Sequence, residues 1–144
     1  MALGIAENMV GLVIHQLTNE GAPFLFAPNV SVLDMRHTVI SYGCTEWSLT
    51  QAALADMRDE LYGLPIWSFA GASDSKVMDA QAGAEAMFSI ITAMLSRCNL
   101  IHDVGYLEFG LTYSFDLLVL CDEIIGQVRR MMEGIRVDQE HLAV

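Results

Sequence analysis

The sequence predicts an α/β fold built on a parallel sheet. Short apolar runs at residues 24–27, 65–69 and 99–103 have the length of buried strands, and longer stretches with apolar residues at helical spacing separate them. Strands joined through helices form right-handed crossovers, so the strands run parallel and the helices cover the sheet.

The first half of the chain predicts a helix, a strand and a second helix. Residues 6–17 carry apolar residues at helical spacing, and Gly21 ends this helix before the apolar run 24–27. A second helical pattern begins at Thr45 and closes at Gly63. The order of elements is therefore already that of an alternating α/β chain.

The second half repeats the alternation. The strand at 65–69 leads to a helix over 79–97 that is rich in Ala and Met, and the strand at 99–103 leads to a helix that Ser114 caps and Gly134 ends. The apolar side of the first of these helices is predicted to carry Ala80, Ala84, Met87, Ile91 and Met94. The last helix has the apolar stripe Leu117, Leu120, Cys121, Ile124, Val128 and Met131, and residues 138–140 look like the start of one more helix.

Composition indicates one globular unit. The chain has 144 residues, of which 53% are hydrophobic, so we expect residues 1–144 to form one domain or part of one. The longest uncharged stretches, residues 8–19 and 86–96, fall short of the roughly 20 apolar residues of a membrane helix. The N-terminus lacks the pattern of a secretory signal. We therefore expect no membrane span and a cytoplasmic location.

The net charge of −11, with seven Lys and Arg residues, argues against binding to nucleic acid, because phosphate contacts need clustered cations. An acidic surface is compatible with a cationic substrate, although it more often serves solubility. Charge alone does not separate these two possibilities.

Cysteine and histidine spacing gives no sign of a metal or a disulfide framework. Cys44, Cys98 and Cys121 are far apart, so we expect buried thiols. The four histidines are scattered, and we predict no metal. The chain has no Walker loop and no G-x-G-x-x-G. Ser73 and Ser75 have no neighbouring histidine, so nucleophilic hydrolysis has weak support.

The segment 71–83 concentrates charged and hydroxyl groups between a strand and a helix. Lys76, the single lysine of the chain, lies between Asp74 and Asp79, which suggests that local chemistry requires it there. The evenly weighted alternative is that Asp74, Ser75 or Asp79 caps the next helix and that Lys76 pairs with these residues.

Three strings of the sequence, residues 71–83, 99–108 and 122–126, resemble the trimethylamine methyltransferase family. Its members move a methyl group from a methylated amine to a corrinoid protein. The resemblance extends along the whole chain and implies a (β/α)8 TIM barrel. A complete barrel takes about 250 residues, so residues 1–144 would be an internal segment of three to four βα units, truncated at both ends. The alternative is a small doubly wound domain in its own right.

In a barrel, three loops of this chain would converge on one mouth. Residues 28–44, 70–78 and 104–113 each follow a predicted strand, and the chemistry of parallel barrels lies at the carboxyl ends of the strands. An open piece also leaves sheet edges and apolar helix faces uncovered. A completing partner, including a homo-oligomer, is therefore a further expectation.

The resemblance makes His102, Asp103 and Glu108 the catalytic candidates. His102 could donate a hydrogen bond to substrate or to the incoming corrinoid, and Asp103 could orient it. Adjacent strand residues point to opposite faces, so only one of the pair is expected to face the interior. From residue types alone, the alternatives are a structural histidine and, for Glu108, a solvated loop acid.

Ser73, Asp74, Lys76, Trp67 and Tyr106 are the candidates for substrate binding. Acids and aromatic rings would hold a methylated ammonium, with cation–π attraction worth ~0.5 to 2 kcal/mol per contact. Lys76, or the helix N-terminus after it, could bind a substrate carboxylate. The alternatives are core packing for the aromatic residues and simple charge neutralisation for Lys76.

Ala72 departs from the trimethylamine-specific members, which carry pyrrolysine at this place. The chain therefore resembles the non-pyrrolysine branch, some of whose members demethylate glycine betaine or related quaternary amines. No tightly bound cofactor is expected, since the corrinoid would belong to a partner protein. Two other classes stay open: a catalytically silent structural or assembly segment, and a hydrolase that uses His102 and turns over without a corrinoid protein.

Overall fold

The computed structural model describes residues 1–142, which form a mixed α/β structure with four helices. Helix α1 spans Ala2–Thr18, and a hairpin of β1 (Val32–Asp34) and β2 (Val39–Ser41) follows. Helix α2 (Thr45–Met57) continues into a π-helical turn, Arg58–Tyr62, before β3 (Trp67–Phe69). Next come α3 (Ala80–Leu95), β4 (Leu100–His102), the short pair β5 (Tyr106–Leu107) and β6 (Thr112–Tyr113), and α4 (Phe115–Glu133). None of the helices within residues 1–142 is long and apolar enough to cross a membrane.

The parallel arrangement predicted from the sequence is confirmed for two of the three runs. Strands β3 and β4 pair in parallel, with Trp67 opposite Leu100 and Phe69 opposite His102. The run 24–27 does not form a full strand and contributes a single parallel bridge from Phe26 to Ile66. The three segments nevertheless lie side by side in the same direction.

The two faces of the β3–β4 pair have different environments. Because side chains alternate along a strand, one face presents Ala70 and Ile101 to the core formed with α3 and α4. The other face carries Trp67, Phe69, Leu100 and His102. Trp67 and Leu100 on this second face are 37% and 51% exposed.

Helices α3 and α4 build most of the core with residues of different size. The buried members are Ala82, Ala86, Ile90 and Ala93 from α3, and Leu117, Cys121, Ile124 and Val128 from α4. Small side chains on α3 allow its backbone to approach the strands and α4 closely. Cys121 is fully buried, as predicted, and burial raises the pKa of its thiol to about 11, whereas Cys44 and Cys98 are only partly buried.

The apolar side predicted for α3 is wrong. Ala80 and Ala84 are exposed, and Met87, Ile91 and Met94 lie at the margin of the core. The helix turns its alanine-rich side inward, because close contact with α4 is possible only there. On α4 the predicted stripe is confirmed for the four buried residues named above, while Met131 is 52% exposed.

The two hairpins were not predicted. Turn chemistry explains the first: Asp34 Oδ1 accepts hydrogen bonds from the backbone N–H groups of Arg36, at 2.8 Å, and His37, which closes a tight turn. Strands of two or three residues are too short to show an alternating pattern. Residues 138–142 form a turn in which Asp138 accepts from the N–H of Glu140 and His141, and the rest of the helix predicted from residue 138 falls at residues 143–144, outside the described residues.

The cap predicted at Ser114 is present, and of the three candidates Asp74, Ser75 and Asp79 it is Asp79 that caps α3. Asp79 Oδ1 accepts from Ala82 N–H at 2.9 Å at the start of α3, and Ser114 Oγ accepts from Leu117 N–H at 3.2 Å at the start of α4. Gly134 ends α4 with a φ of 68°, a conformation that glycine adopts without strain. Local sequence signals therefore fix the ends of these two helices.

Replacing Ser114 with alanine is expected to lower the free energy of unfolding by about 1 kcal/mol, because a backbone N–H at the start of α4 loses its acceptor. Urea denaturation followed by circular dichroism measures the change. Ser31→Ala, in an exposed loop, is the control and should change stability by less than about 0.5 kcal/mol. Equal losses in the two variants would contradict the capping role of Ser114.

Candidate functional site

The loops that follow β3 and β4 are joined by backbone hydrogen bonds. Gly105 N–H donates to Gly71 O at 2.8 Å, and Ser73 N–H donates to Tyr106 O at 2.9 Å. Farther out, Glu108 N–H donates to Ser75 O at 2.8 Å. The two loops therefore form one hydrogen-bonded layer beyond the carboxyl ends of the strands.

Asp74 ties the loop of residues 28–44 to this layer. Its carboxylate accepts hydrogen bonds from Tyr42 N–H at 2.8 Å and from the Ser41 hydroxyl. The convergence of three loops that the topology predicts is thus present. The side chain of Asp74 is directed at the first loop, where it fixes the position of Tyr42.

Ser73 is fully buried and bonded within its own loop. Its hydroxyl donates to Glu85 Oε2 at 2.6 Å and accepts from Ser75 N–H at 3.0 Å. Glu85 Oε2 also accepts from Asp74 N–H at 2.8 Å. Glu85, on the second turn of α3, was not identified from the sequence, because a single acid on a helix gives no signal of where its carboxylate points.

Lys76 pairs with Glu108 across two loops. Its Nζ lies 3.6 Å from Glu108 Oε1, and the Lys76 side chain is 73% exposed. Glu108 has a φ of 51° and accepts from Thr112 Oγ1 at 2.9 Å. The expected pairing of Lys76 with Asp74 or Asp79 is wrong, because Asp74 is bonded to the first loop and Asp79 caps α3.

His102 and Asp103 lie together rather than on opposite faces. Asp103 has a φ of 65°, so the chain leaves the strand conformation there. The carboxylate folds back, and Asp103 Oδ1 lies 2.7 Å from His102 Nδ1. Which of the two faces a barrel interior stays a prediction. This contact leaves Nε2 of His102 as the nitrogen available for another partner.

Trp67 lies against His102. The two rings stack with centroids 3.9 Å apart and planes 20° apart, while Phe69 meets the His102 ring edge-on at 5.6 Å. These three residues, from adjacent strands, share the face of the sheet that is turned away from α3 and α4. Trp67 therefore contacts the candidate histidine directly.

A cavity of about 190 Å³ opens where the three loops meet. It is lined by Tyr42, Phe69, Asp103, Tyr106 and Gly110. This volume is below the roughly 300 to 1,000 Å³ of sites for drug-sized ligands, so it suits a small molecule. Tyr106 and Asp103 were predicted as site residues, whereas Trp67 borders a neighbouring crevice with His102.

Tyr42 and Phe69 form the aromatic wall that the sequence analysis missed. Their rings stack with centroids 4.6 Å apart, and Trp47 contacts both edge-on at 5.1 Å. Burial raises the pKa of the Tyr42 phenol, and the charges of Asp103 and Asp74 raise it further. The Tyr42 ring therefore stays neutral around pH 7. The one sequence signal for Tyr42 was its place in the loop after the first predicted strand.

Ala72 lies beneath this wall. It is 1% exposed and packs with Trp47 and Phe69, with Tyr42 and Tyr106 at the edge of the same cluster. A side chain longer than methyl at this position would extend among the aromatic rings that surround the cavity. Position 72 therefore adjoins aromatic residues that line the cavity.

The opposite ends of the strands have a different character. A cavity of about 470 Å³ there is lined by Arg58, Arg97 and Asn99, among others. The Arg58 guanidinium donates to both carboxylate oxygens of Asp59 at 2.7 Å, to Arg97 O and to Asn99 Oδ1 at 3.0 Å. Most N–H groups of the guanidinium therefore already have acceptors within the protein, and this arginine stabilises the fold.

The one three-residue group within residues 1–142 with ligand atoms close enough for a metal is Asp138, Glu140 and His141, and it is distant in sequence from the cavity. Asp138 Oδ2 pairs with Arg136 Nε at 2.6 Å, and Asp138 Oδ1 lies 2.6 Å from His141 Nδ1. Existing partners thus occupy the carboxylate, and we assign no metal to this turn.

Comparison with known proteins identifies the family. A profile of the family described as trimethylamine methyltransferase matches residues 1–144. The chain belongs to the trimethylamine methyltransferase family. The resemblance of residues 71–83, 99–108 and 122–126 is thereby confirmed.

Curated relatives of the family carry two different substrate names. The chain is 37% identical over 139 residues to a trimethylamine methyltransferase of Methanosarcina barkeri and 35% identical over 139 residues to one of Methanosarcina thermophila, each match covering 96% of this chain. It is 33% identical over 144 residues, covering 99% of the chain, to a glycine betaine methyltransferase of Desulfitobacterium hafniense. The chain spans 28% to 30% of the length of these relatives.

The acid dependence of stability tests the capping role of Asp79 in this family member. The hydrogen bond from Ala82 N–H lowers the Asp79 pKa below its ordinary value of 3.8. Because the folded pKa lies below the unfolded one, the stabilisation is complete above about pH 4 and is lost as pH falls through the folded pKa.

We therefore expect Asp79→Asn to flatten the fall in stability below about pH 4. Urea midpoints measured between about pH 5 and pH 2 test this, with Asp122→Asn on the exposed side of α4 as the matched control. An unchanged slope in Asp79→Asn would show that this carboxylate is not protonated in the acid transition.

Proposed function

We propose that this chain supplies part of the site of a methyltransferase that moves a methyl group from a quaternary amine, such as glycine betaine, to a corrinoid protein. Membership of the trimethylamine methyltransferase family supports the reaction class. The relatives include enzymes named for both trimethylamine and glycine betaine, so the substrate has to be argued from the site. In the same proposal, the parallel strands β3 and β4 belong to a (β/α)8 barrel.

The observation that carries the proposal is the combination of aromatic rings and a carboxylate around a small cavity. Tyr42, Phe69 and Tyr106 line the cavity with aromatic side chains, and Asp103 adds a carboxylate. A quaternary ammonium has no N–H to donate, so aromatic faces and a nearby charge are the groups that recognise it. A cavity of about 190 Å³ matches a small amine.

Ala72 supports a quaternary substrate over a neutral tertiary one. The trimethylamine-specific members resembled by this chain carry pyrrolysine there, whose electrophilic group activates a neutral amine by adduct formation. Alanine offers no electrophile. A quaternary nitrogen already bears positive charge, so its C–N bond can break with both electrons staying on nitrogen and the product leaves as a neutral tertiary amine.

The corrinoid would supply the nucleophile that takes the methyl group. The cavity is too small for a corrinoid ring, so this group has to approach from outside, carried by a partner protein that covers the loops. The residues of this chain then have to hold the amine with one methyl directed outward, which is catalysis by orientation.

The candidate residues divide into two groups on this proposal. Asp103 and Tyr106 line the cavity, and His102, held at Nδ1 by Asp103, borders the neighbouring crevice, from which Nε2 would reach the bound molecules. Lys76 is exposed and pairs with Glu108, and on this proposal its ammonium would bind the carboxylate of a betaine.

Ser73 and Asp74 belong to the second group, since they build the loops. The Ser73 hydroxyl and both Asp74 carboxylate oxygens are already bonded to Glu85 and to the first loop. We propose that they act by holding the aromatic wall rather than by touching substrate.

Methyl transfer tests the proposal directly. The assay follows the visible absorbance of a reduced corrinoid protein and uses the longest natural polypeptide that contains these 144 residues, with glycine betaine, tetramethylammonium and trimethylamine offered separately. We expect transfer from the two quaternary amines and none from trimethylamine, and we expect loss of transfer in His102→Ala. Lys76→Ala should raise KM about fivefold for glycine betaine, the size of an exposed ion pair, and leave tetramethylammonium unchanged.

Arg36→Ala, on the exposed β1–β2 turn, removes the same charge elsewhere and is the control for Lys76→Ala. Transfer from trimethylamine alone would contradict the quaternary substrate. Demethylation without a corrinoid protein would favour the hydrolase, and absence of transfer from every amine in a folded protein would favour a structural segment.

A further inference from the structure

Glu85 contacts the candidate site without lining its cavity. From α3 its carboxylate reaches the loop after β3, where Oε2 accepts from the Ser73 hydroxyl at 2.6 Å and from Asp74 N–H at 2.8 Å. Oε1 accepts from Gln81 Nε2 at 2.9 Å. Three donors therefore fix one carboxylate, and two of them belong to the loop.

The same carboxylate packs on the backbone of the first loop at Gly43. A Cβ at residue 43 would lie 2.3 Å from Glu85 Oε2 and 2.8 Å from Oε1, far inside contact distance. Only glycine leaves room for Glu85 in this position. Glu85 thus contacts two of the three loops that form the cavity.

A short path of bonds leads from Glu85 to the aromatic wall. Glu85 holds the backbone N–H of Asp74, and the Asp74 carboxylate holds the N–H of Tyr42 at 2.8 Å. The Tyr42 ring stacks on Phe69 at 4.6 Å and lines the cavity. Tyr42 is therefore held from both sides, by Asp74 through its N–H and by Glu85 through the neighbouring Gly43.

We infer that Glu85 is a positioning residue that sets the Tyr42 ring against Phe69 and so determines how tightly the cavity binds a quaternary ammonium ion. This inference rests on the proposed function. It differs from a purely stabilising role, because it predicts a local change at Tyr42 in a protein that is still folded.

The test is ¹⁹F NMR of the longest natural polypeptide that contains these 144 residues, labelled with 3-fluorotyrosine and titrated with tetramethylammonium. The chain has four tyrosines, and Tyr42→Phe assigns the signal of Tyr42. In Glu85→Ala we expect this signal to move as the ring leaves Phe69, and we expect tetramethylammonium to bind about tenfold more weakly, as for a lost charge-assisted hydrogen bond.

The conservative variant Glu85→Gln should restore both properties to within about threefold. Its amide oxygen can accept from Ser73 and Asp74, and the Gln81 amide can turn so that its oxygen accepts from the new NH₂ group. A loss as large as that of Glu85→Ala would show that the charge of Glu85, and not its placement of the loop, governs binding, and would overturn the inference.

Gly43→Ala provides a second perturbation that keeps the Glu85 carboxylate. The added methyl displaces the carboxylate, so the Tyr42 signal is expected to move as in Glu85→Ala. Glu123→Ala, on the exposed side of α4, is the control and should leave the signal in place. If Glu85→Ala does not fold, as judged by circular dichroism, Gly43→Ala and Glu85→Gln decide the question.

An unmoved Tyr42 signal in the folded Glu85→Ala and Gly43→Ala variants would overturn the inference, whether or not the cavity binds an ammonium ion. A Tyr42 signal that moves, when the longest natural polypeptide does not bind tetramethylammonium, would support the positioning and contradict the proposed function. The two failures are therefore distinguishable.

Discussion

The parallel pairing of β3 with β4 is the constraint on which the site depends. It sets Phe69 opposite His102 at the last position of each strand, so the two following loops leave the sheet at the same edge. Backbone bonds between Gly71 and Gly105 and between Ser73 and Tyr106 continue the pairing beyond the strands. Without this register, Asp103 and Tyr106 would not share a cavity with Phe69.

Much of this fold could be predicted because its signals are local. The caps at Asp79 and Ser114 and the stop at Gly134 mark helix ends with residues whose chemistry acts within one turn. The predicted side of α3 failed, since the choice between a methionine side and an alanine side is made by the neighbouring helix. The β1–β2 and β5–β6 hairpins were missed because strands of two or three residues are too short to show an alternation of apolar and polar residues.

The site was predictable in part for the same reason. Asp103, Tyr106 and His102 lie directly after or at the end of a predicted strand, where topology places chemistry. Tyr42 and Glu85 were missed, because their roles arise from contacts with Asp74 and Ser73, which lie 32 and 12 positions away in the sequence. The spacing of residues along a helix does not show that a carboxylate such as that of Glu85 turns back toward a loop. The hydrogen bonds between the loops and the contacts of the aromatic wall can therefore be identified only from the three-dimensional structure.

We propose that the cavity recognises positive charge and not only the shape of a trimethylated group. Isothermal titration of the longest natural polypeptide that contains these residues, with glycine betaine and with 3,3-dimethylbutanoate, which replaces the charged nitrogen with carbon at nearly the same shape, tests this most directly. We expect the betaine to bind at least about tenfold more tightly, as for cation–π contacts and one nearby carboxylate, and Asp103→Asn to remove most of the difference. Equal affinity for the two ligands would contradict a cation site formed by Tyr42, Phe69, Tyr106 and Asp103.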